Sequence, residues 1–192
     1  CLTGDMFDPY RVEARNFAVP FKDVRDSREQ QTIAGIVQSV RTITGKRGNF
    51  GVVVLSDGQT TMDVLVFSRA YDSYKQMLKV DEMLIFVGKG RKDERSGGMS
   101  FVCDEVLTIE QMRVRKGATL MLELTEGKGV KTLVEVLQAG QNNEIGGVSC
   151  EVSIRSNGVK AEMYLKNGYI PSDQLLNQLR NSDSVASAKF VY

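Results

Sequence analysis

Ile33-Ala34-Gly35-Ile36-Val37-Gln38-Ser39-Val40-Arg41-Thr42-Ile43-Thr44 runs without a break into a basic turn, Gly45-Lys46-Arg47-Gly48-Asn49, and this stretch decides how the chain is read. Val, Ile and Thr dominate it, residues whose branched side chains suit a pleated surface. It outruns an ordinary strand of about 5–6 residues, so it must serve two sheets or bend around a barrel. Gly35 lacks a Cβ, which makes it the expected place for a bend or bulge and for close approach of another strand.

Working outward, Phe50 to Ser56 reads as a second strand, Asp57-Gly58 as a tight turn and Thr61 to Phe67 as a third strand. From Ser68 the period changes: Ala70, Tyr74, Met77 and Leu78 share a helical face, with Ser68 as the expected N-cap. Met83 to Arg91 is a fourth strand, Lys92 to Gly98 a polar loop and Ser100 to Ile109 a fifth strand. Three strands, a helix and two strands is the order of the five-stranded OB-fold barrel, expected over residues 32–110. That fold binds single strands or oligosaccharides through strands two and three and the loops joining strands one to two and four to five.

Both of those loops are basic. Arg41, Lys46, Arg47 and Asn49 lie at the first and Lys89, Arg91, Lys92 and Arg95 at the second, with Phe50 and Phe101 as candidate stacking platforms. Cations attract phosphate whatever the base, and an aromatic face accepts any base at about 1–3 kcal/mol. The expected consequence is salt-sensitive, sequence-tolerant binding of single-stranded DNA. The competing reading makes the loop cations merely solvated, partly cancelled by Asp93 and Glu94, and turns both phenylalanines into the core.

Composition narrows the function classes. The 192 residues suffice for one or two domains, and the formal charge of only +1 confines any pull on a polyanion to local patches. Three cysteines without CxxC spacing argue against a disulfide framework or zinc site, and no histidine is available as base or metal ligand. No apolar run approaches the roughly 18 residues of a membrane span, so no membrane partner is expected. Asp57, Asp63 and Asp104 stand at turns or strand ends without the company a metal site needs.

Ile33-Ala34-Gly35-Ile36-Val37, Thr44-Gly45-Lys46-Arg47-Gly48, Asp63-Val64-Leu65-Val66-Phe67, the helix Tyr71 to Leu78, Ser96-Gly97-Gly98 and Asp104-Glu105-Val106 resemble the C-terminal OB domain of the bacterial DNA polymerase III alpha subunit family. Leu2-Thr3-Gly4 is similar to the tripeptide preceding that domain, and the likeness covers nearly the whole chain. Where many members carry Phe-Asp-Asp-Phe-Ser-Gly-Gly, this chain has Arg91 to Gly98, with charge in place of two aromatic positions. The resemblance implies a non-catalytic piece of a nucleotidyltransferase whose magnesium-binding aspartates lie upstream of Cys1, with no cofactor in this piece and a cytoplasmic setting in the replisome. Absence of an initiating methionine fits a fragment.

The opening segment, residues 1–31, is read as a connection packing on a neighbour outside the fragment. Within it Gly4-Asp5-Met6-Phe7 looks like the tail of a sliding-clamp peptide without its glutamine, so local packing is preferred and clamp binding, if any, is expected through an upstream motif.

Residues 111–118 read as a basic linker. Beyond it, Thr119 to Leu124 alternates as a strand and Lys131 to Ala139 is helical. Val148 to Ile154 and Val159 to Leu165 are strands joined by Asn157-Gly158, with Cys150, Ala161, Met163 and Leu165 inward. A helix capped by Ser172 or Asp173 and a last strand, Val185 to Val191, complete a small βαββαβ two-layer sandwich over 119–192, expected as a split β-α-β arrangement. No nucleophile–base pair occurs here, and Gly127-Lys128-Gly129 lacks the P-loop frame. The resemblance implies that this domain binds the tau subunit of the clamp loader, with Tyr169, Ile170, Gln174 and Gln178 as candidate contacts. A purely structural module, whose barrel touches protein and not DNA, is the alternative.

Overall fold

The computed structural model describes residues 6–46, 48–94, 97–125, 130–141, 147–156 and 159–192. The chain forms two compact units, 1–109 and 110–192, each with its own core.

In the first unit β1 (Gln31–Gly45), β2 (Gly48–Ser56), β3 (Thr61–Val66), β4 (Met83–Lys92) and β5 (Met99–Thr108) close into a barrel in the order β1-β2-β3-β5-β4. β1 is long because it serves both neighbours: Gln31 to Ile36 pair with β4, and Ile36 to Gly45 pair with β2. The irregularity in its ladder falls between Val37 and Ser39, not at the expected Gly35. Gly35 instead permits close approach, since a Cβ there would sit 2.6 Å from the Ser56 carbonyl oxygen. β2 and β3 form the expected hairpin, whose turn is held by the Asp57 carboxylate accepting from the backbone N–H of Gln59 and Thr60 at 3.0 and 2.8 Å. Closure comes from a parallel seam between β3 and β5.

Alternation fills the barrel with Ile33, Val37, Val53, Leu55, Val64, Val66, Phe86 and Phe101. The helix α2 (Ser68–Tyr74) is shorter than expected, and its N-cap position is Phe67; Ser68 enters the helix with φ +20° and does not cap it. The opening segment packs on the barrel itself. After α1 (Asp8–Ala14) a 3-10 turn over Phe21–Asp23 sends Phe21 and Val24 into the barrel core, and the Val19 N–H donates to Thr32 at 2.9 Å. Phe7 is buried here, a local packing residue; Leu2-Thr3-Gly4 lies outside the described residues.

In the second unit residues 111–118 are not a linker. They include most of α3 (Ile109–Arg115), whose Met112 and Arg113 are buried. β6 (Thr119–Leu124), α4 (Val130–Ala139), β7 (Val148–Ser156), β8 (Val159–Tyr169), α5 (Asp173–Arg180) and β9 (Val185–Val191) follow in the expected βαββαβ order. The sheet runs β8-β7-β6-β9, with β6 directly parallel to β7. The β-α-β unit is therefore not split, because β8 joins the outer side of β7 and does not insert between the parallel pair. Leu133 and Leu137 of α4 and Leu175, Leu176 and Leu179 of α5 pack on Leu120, Leu122, Cys150 and Val152. Ser172 caps α5, its hydroxyl accepting from the Leu175 N–H at 3.1 Å. Ala161 and Met163, expected inward, are exposed, because β8 is the edge strand. The Asn157-Gly158 turn and Gly127-Lys128-Gly129 lie outside the described residues.

Candidate nucleic-acid interface

Partners in neighbouring strands point to the same face of a sheet, so the ladder register maps the outside of the barrel. One row across it is Arg41, Val52, Leu65, Val102 and Lys89, taken from β1, β2, β3, β5 and β4 in turn. A second row is Ser39, Val54, Asp63, Ser100 and Arg91. On the other side of the first row Ile43 faces Phe50, and the next position beyond the Gly51–Val66 pair brings Phe67 against Phe50. Their ring centroids are 5.3 Å apart at an interplanar angle of 40°.

This outer face is a partly apolar strip with basic ends. At one end the β1–β2 turn, where Gly48 adopts φ +107°, curls over a hollow lined by Gly45, Lys46, Gly48, Phe50, Phe67 and Ser68. A side chain at position 48 would strain that turn, which explains the glycine. Tyr71 braces the same end: its ring lies where a Gly51 side chain would be, and its hydroxyl hydrogen-bonds the Thr42 hydroxyl at 2.5 Å. At the other end Lys89 and Arg91 stand on β4, followed by Lys92. Arg41, Lys46, Asn49, Arg91 and Lys92 are exposed and Lys89 is half-buried. Among the described residues none of these cations is held in an ion pair. With strands about 4.8 Å apart, the path from Arg41 to Lys89 along this row, which curves round the closed barrel, is about 19 Å.

The structure separates the expected site residues into those that share this face and those that do not. Arg41, Lys46, Asn49, Phe50, Lys89, Arg91 and Lys92 belong to it or its margins. Phe101 does not: it is 0% exposed, on the Val64 side of the seam and inside the barrel. Arg47 and Arg95 lie outside the described residues. Phe67, 43% exposed, was missed. Its signal lies in the sequence, since it continues the outward alternation of Asp63 and Leu65 at the strand's end.

In the second unit Tyr169 is 2% exposed and cannot be a contact residue. Its neighbours on β7 and the residues of the core enclose it, and burial raises its phenol pKa. Ile170, Gln174 and Gln178 are exposed. Arg113 is structural: 1% exposed, it donates through Nη1 to the Pro171 carbonyl at 2.7 Å, pairs with the Asp173 carboxylate at 2.8 Å and stacks on Phe190 with 4.3 Å to the ring centroid. Cys103 and Cys150 are both buried free thiols, each pushed up to about 12, first by burial and then by a neighbouring carboxylate. Among the described residues no group of three or more acidic, cysteine or histidine side chains is placed to hold a metal, and no helix is long and apolar enough to cross a membrane.

Residues 31–109, the barrel from the first residue of β1 to the residue after β5, match the model of the OB-fold nucleic acid binding domain family. The match takes in all five strands of the barrel. Beyond the OB domain, the chain is similar over 93% of its length to DNA polymerase III alpha subunits. It is 30% identical to that of Escherichia coli K12 over 188 residues, 93% of this chain. It is 27% identical to that of Pseudomonas aeruginosa over 190 residues, 94% of this chain, and 28% identical to that of Neisseria meningitidis serogroup B over 182 residues. In each case the chain spans 16% of the relative's length. Among solved structures, RecG bound to a three-way DNA junction is similar over 45% of the chain at 24% identity and a TM-score of 0.39.

Proposed function

We propose that the OB domain holds single-stranded DNA along its outer face, stacking bases on Phe50 and Phe67 and drawing phosphates to Arg41 and Lys46 at one end and Lys89, Arg91 and Lys92 at the other. The observation that carries this is the face itself, an aromatic pair and a basic hollow joined by one ladder row to a second, unpaired basic group. In the parent polymerase the strand is the template on its way to an active site upstream, where the magnesium-dependent nucleotidyl transfer occurs. The second unit is a tether that binds the clamp-loader tau subunit through the exposed flank of Ile170, Gln174 and Gln178. Sliding-clamp contact belongs to an upstream motif, and the setting is the cytoplasmic replisome. Resemblance to the alpha subunits supports these assignments.

Fluorescence anisotropy with an unstructured oligonucleotide tests the DNA assignment. Binding is expected to weaken steeply as salt rises, and to fall when Lys46 and Arg91 are replaced together by Gln. Absence of binding at low salt refutes it and leaves the barrel as a protein-contacting module. For the tether, a chain lacking residues 110–192 is expected to lose capture of tau; capture retained refutes that assignment.

A further inference from the structure

The segment before β1 brings another cation to the interface. It lies along the margin of β4, where Asp26 bridges Gly90 in parallel sense and the Ser27 N–H donates to the Gly90 carbonyl at 3.4 Å. That register sets Arg25 beside Lys89. Gln31 clamps the Arg25 backbone from both sides, accepting from its N–H at 3.0 Å and donating to its carbonyl at 2.8 Å. Gly90 leaves room for this approach, since a Cβ there would fall 2.2 Å from the Arg25 carbonyl oxygen.

Side-chain direction follows from alternation along the segment. Val24 enters the barrel core and Gly90 is buried on the Phe101 side, so Arg25 points outward with Lys89 and Arg91. Arg25 is exposed, and among the described residues it has no ion pair. The acidic neighbour Asp26 turns its carboxylate to the backbone, accepting from the Lys92 N–H at 3.4 Å. Three cations thus occupy neighbouring positions on the outer side, and the backbone of one is held in place before any ligand arrives, which lowers the ordering cost of binding.

We propose that Arg25, Lys89 and Arg91 form a phosphate-binding cluster that extends the DNA path beyond the β4 margin onto the opening segment. The proposal rests on the DNA-binding reading of the OB domain. Its test is the salt titration of the 192-residue chain with a dT oligonucleotide, comparing wild type with Arg25→Gln, Arg28→Gln and Gln31→Leu. Arg25→Gln is expected to weaken binding several-fold and to lower the slope of log affinity against log salt by about 0.7, the contribution of one single-strand phosphate contact. Gln31→Leu keeps every charge but frees the segment, and part of the same loss is expected. Arg28→Gln, with its backbone outside the clamp, is expected to leave affinity and slope unchanged, and circular dichroism checks that each variant folds. Wild-type slope in Arg25→Gln, or an equal loss in Arg28→Gln, overturns the cluster while the DNA reading stands. Failure of the wild type to bind overturns both.

Discussion

Phe50, Phe67 and Phe101 put one kind of side chain to different ends. Phe101 and Phe50 read alike in the sequence, each at the start of a strand beside a basic loop, and only the register separates them. β5 carries apolar residues on both faces, Phe101 and Cys103 inward and Val102 outward, so alternation alone could not orient it. β2 and β3 were more legible because Asp63 marks the wet side. The two positions have opposite predicted consequences. Phe67→Ala should weaken oligonucleotide binding by about 1–3 kcal/mol, as loss of a stacking platform does, with the melting temperature nearly unchanged. Phe101→Ala should cost about 3–5 kcal/mol of stability by opening a hole in the barrel. Denaturant titration beside anisotropy on both variants separates the two; a stability loss confined to Phe67→Ala would reverse the assignment of faces.

Elements were easier to find than to place. Every strand of the barrel was visible from β-branched runs and turn residues, because those signals are local. The junction before β6 was not, since Gln111-Met112-Arg113-Val114-Arg115-Lys116 looks solvated although Met112 and Arg113 are buried. A buried arginine is hidden from any reading that equates charge with surface. α3 is held by that residue: its guanidinium joins the Pro171 carbonyl, the Asp173 carboxylate at the first turn of α5 and the Phe190 ring of β9. Arg113→Ala should destabilise the second unit by about 3 kcal/mol, the low end for breaking a buried pair because Asp173 reaches solvent. Arg113→Lys should recover little, lacking the planar fork that serves carbonyl and carboxylate together. Urea unfolding followed in the second unit checks this, and full recovery by Lys would show that charge alone is used.

At the scale of the whole molecule, chain order predicted both architectures but not how strands neighbour one another. The split arrangement and the adjacent one share the order βαββαβ, and they differ only in where the third strand, β8, joins the sheet. Each unit also encloses one thiol, Cys103 in the barrel and Cys150 in the second sheet. Burial, with a nearby carboxylate, raises each from the ordinary 9.0 to about 12. A thiol neutral in the fold and ionised when unfolded favours the fold fully below its unfolded pKa, and that contribution is lost as pH rises toward the folded value. Both units should therefore lose stability between pH 9 and 12, and Cys103→Ala and Cys150→Ala should flatten the decline in their own units. Urea midpoints across that range test it; an unchanged slope in either variant would remove the thiol as the cause.

The parallel seam of the barrel bears on how this molecule reaches its native state. β1–β2, β2–β3 and β4–β5 join strands that follow one another in the chain, so each can zip from its own turn. β3 and β5 meet only across the intervening helix and strand, along the short register from Asp63–Ser100 to Val66–Cys103. Loop entropy must be lost before that contact, or the still more distant β1–β4 pairing, returns anything, which makes these the slow pairings. Until the seam forms, the edges of β3 and β5 stay open to other chains. During synthesis the chain thus passes through an interval in which these two strand edges are exposed to association.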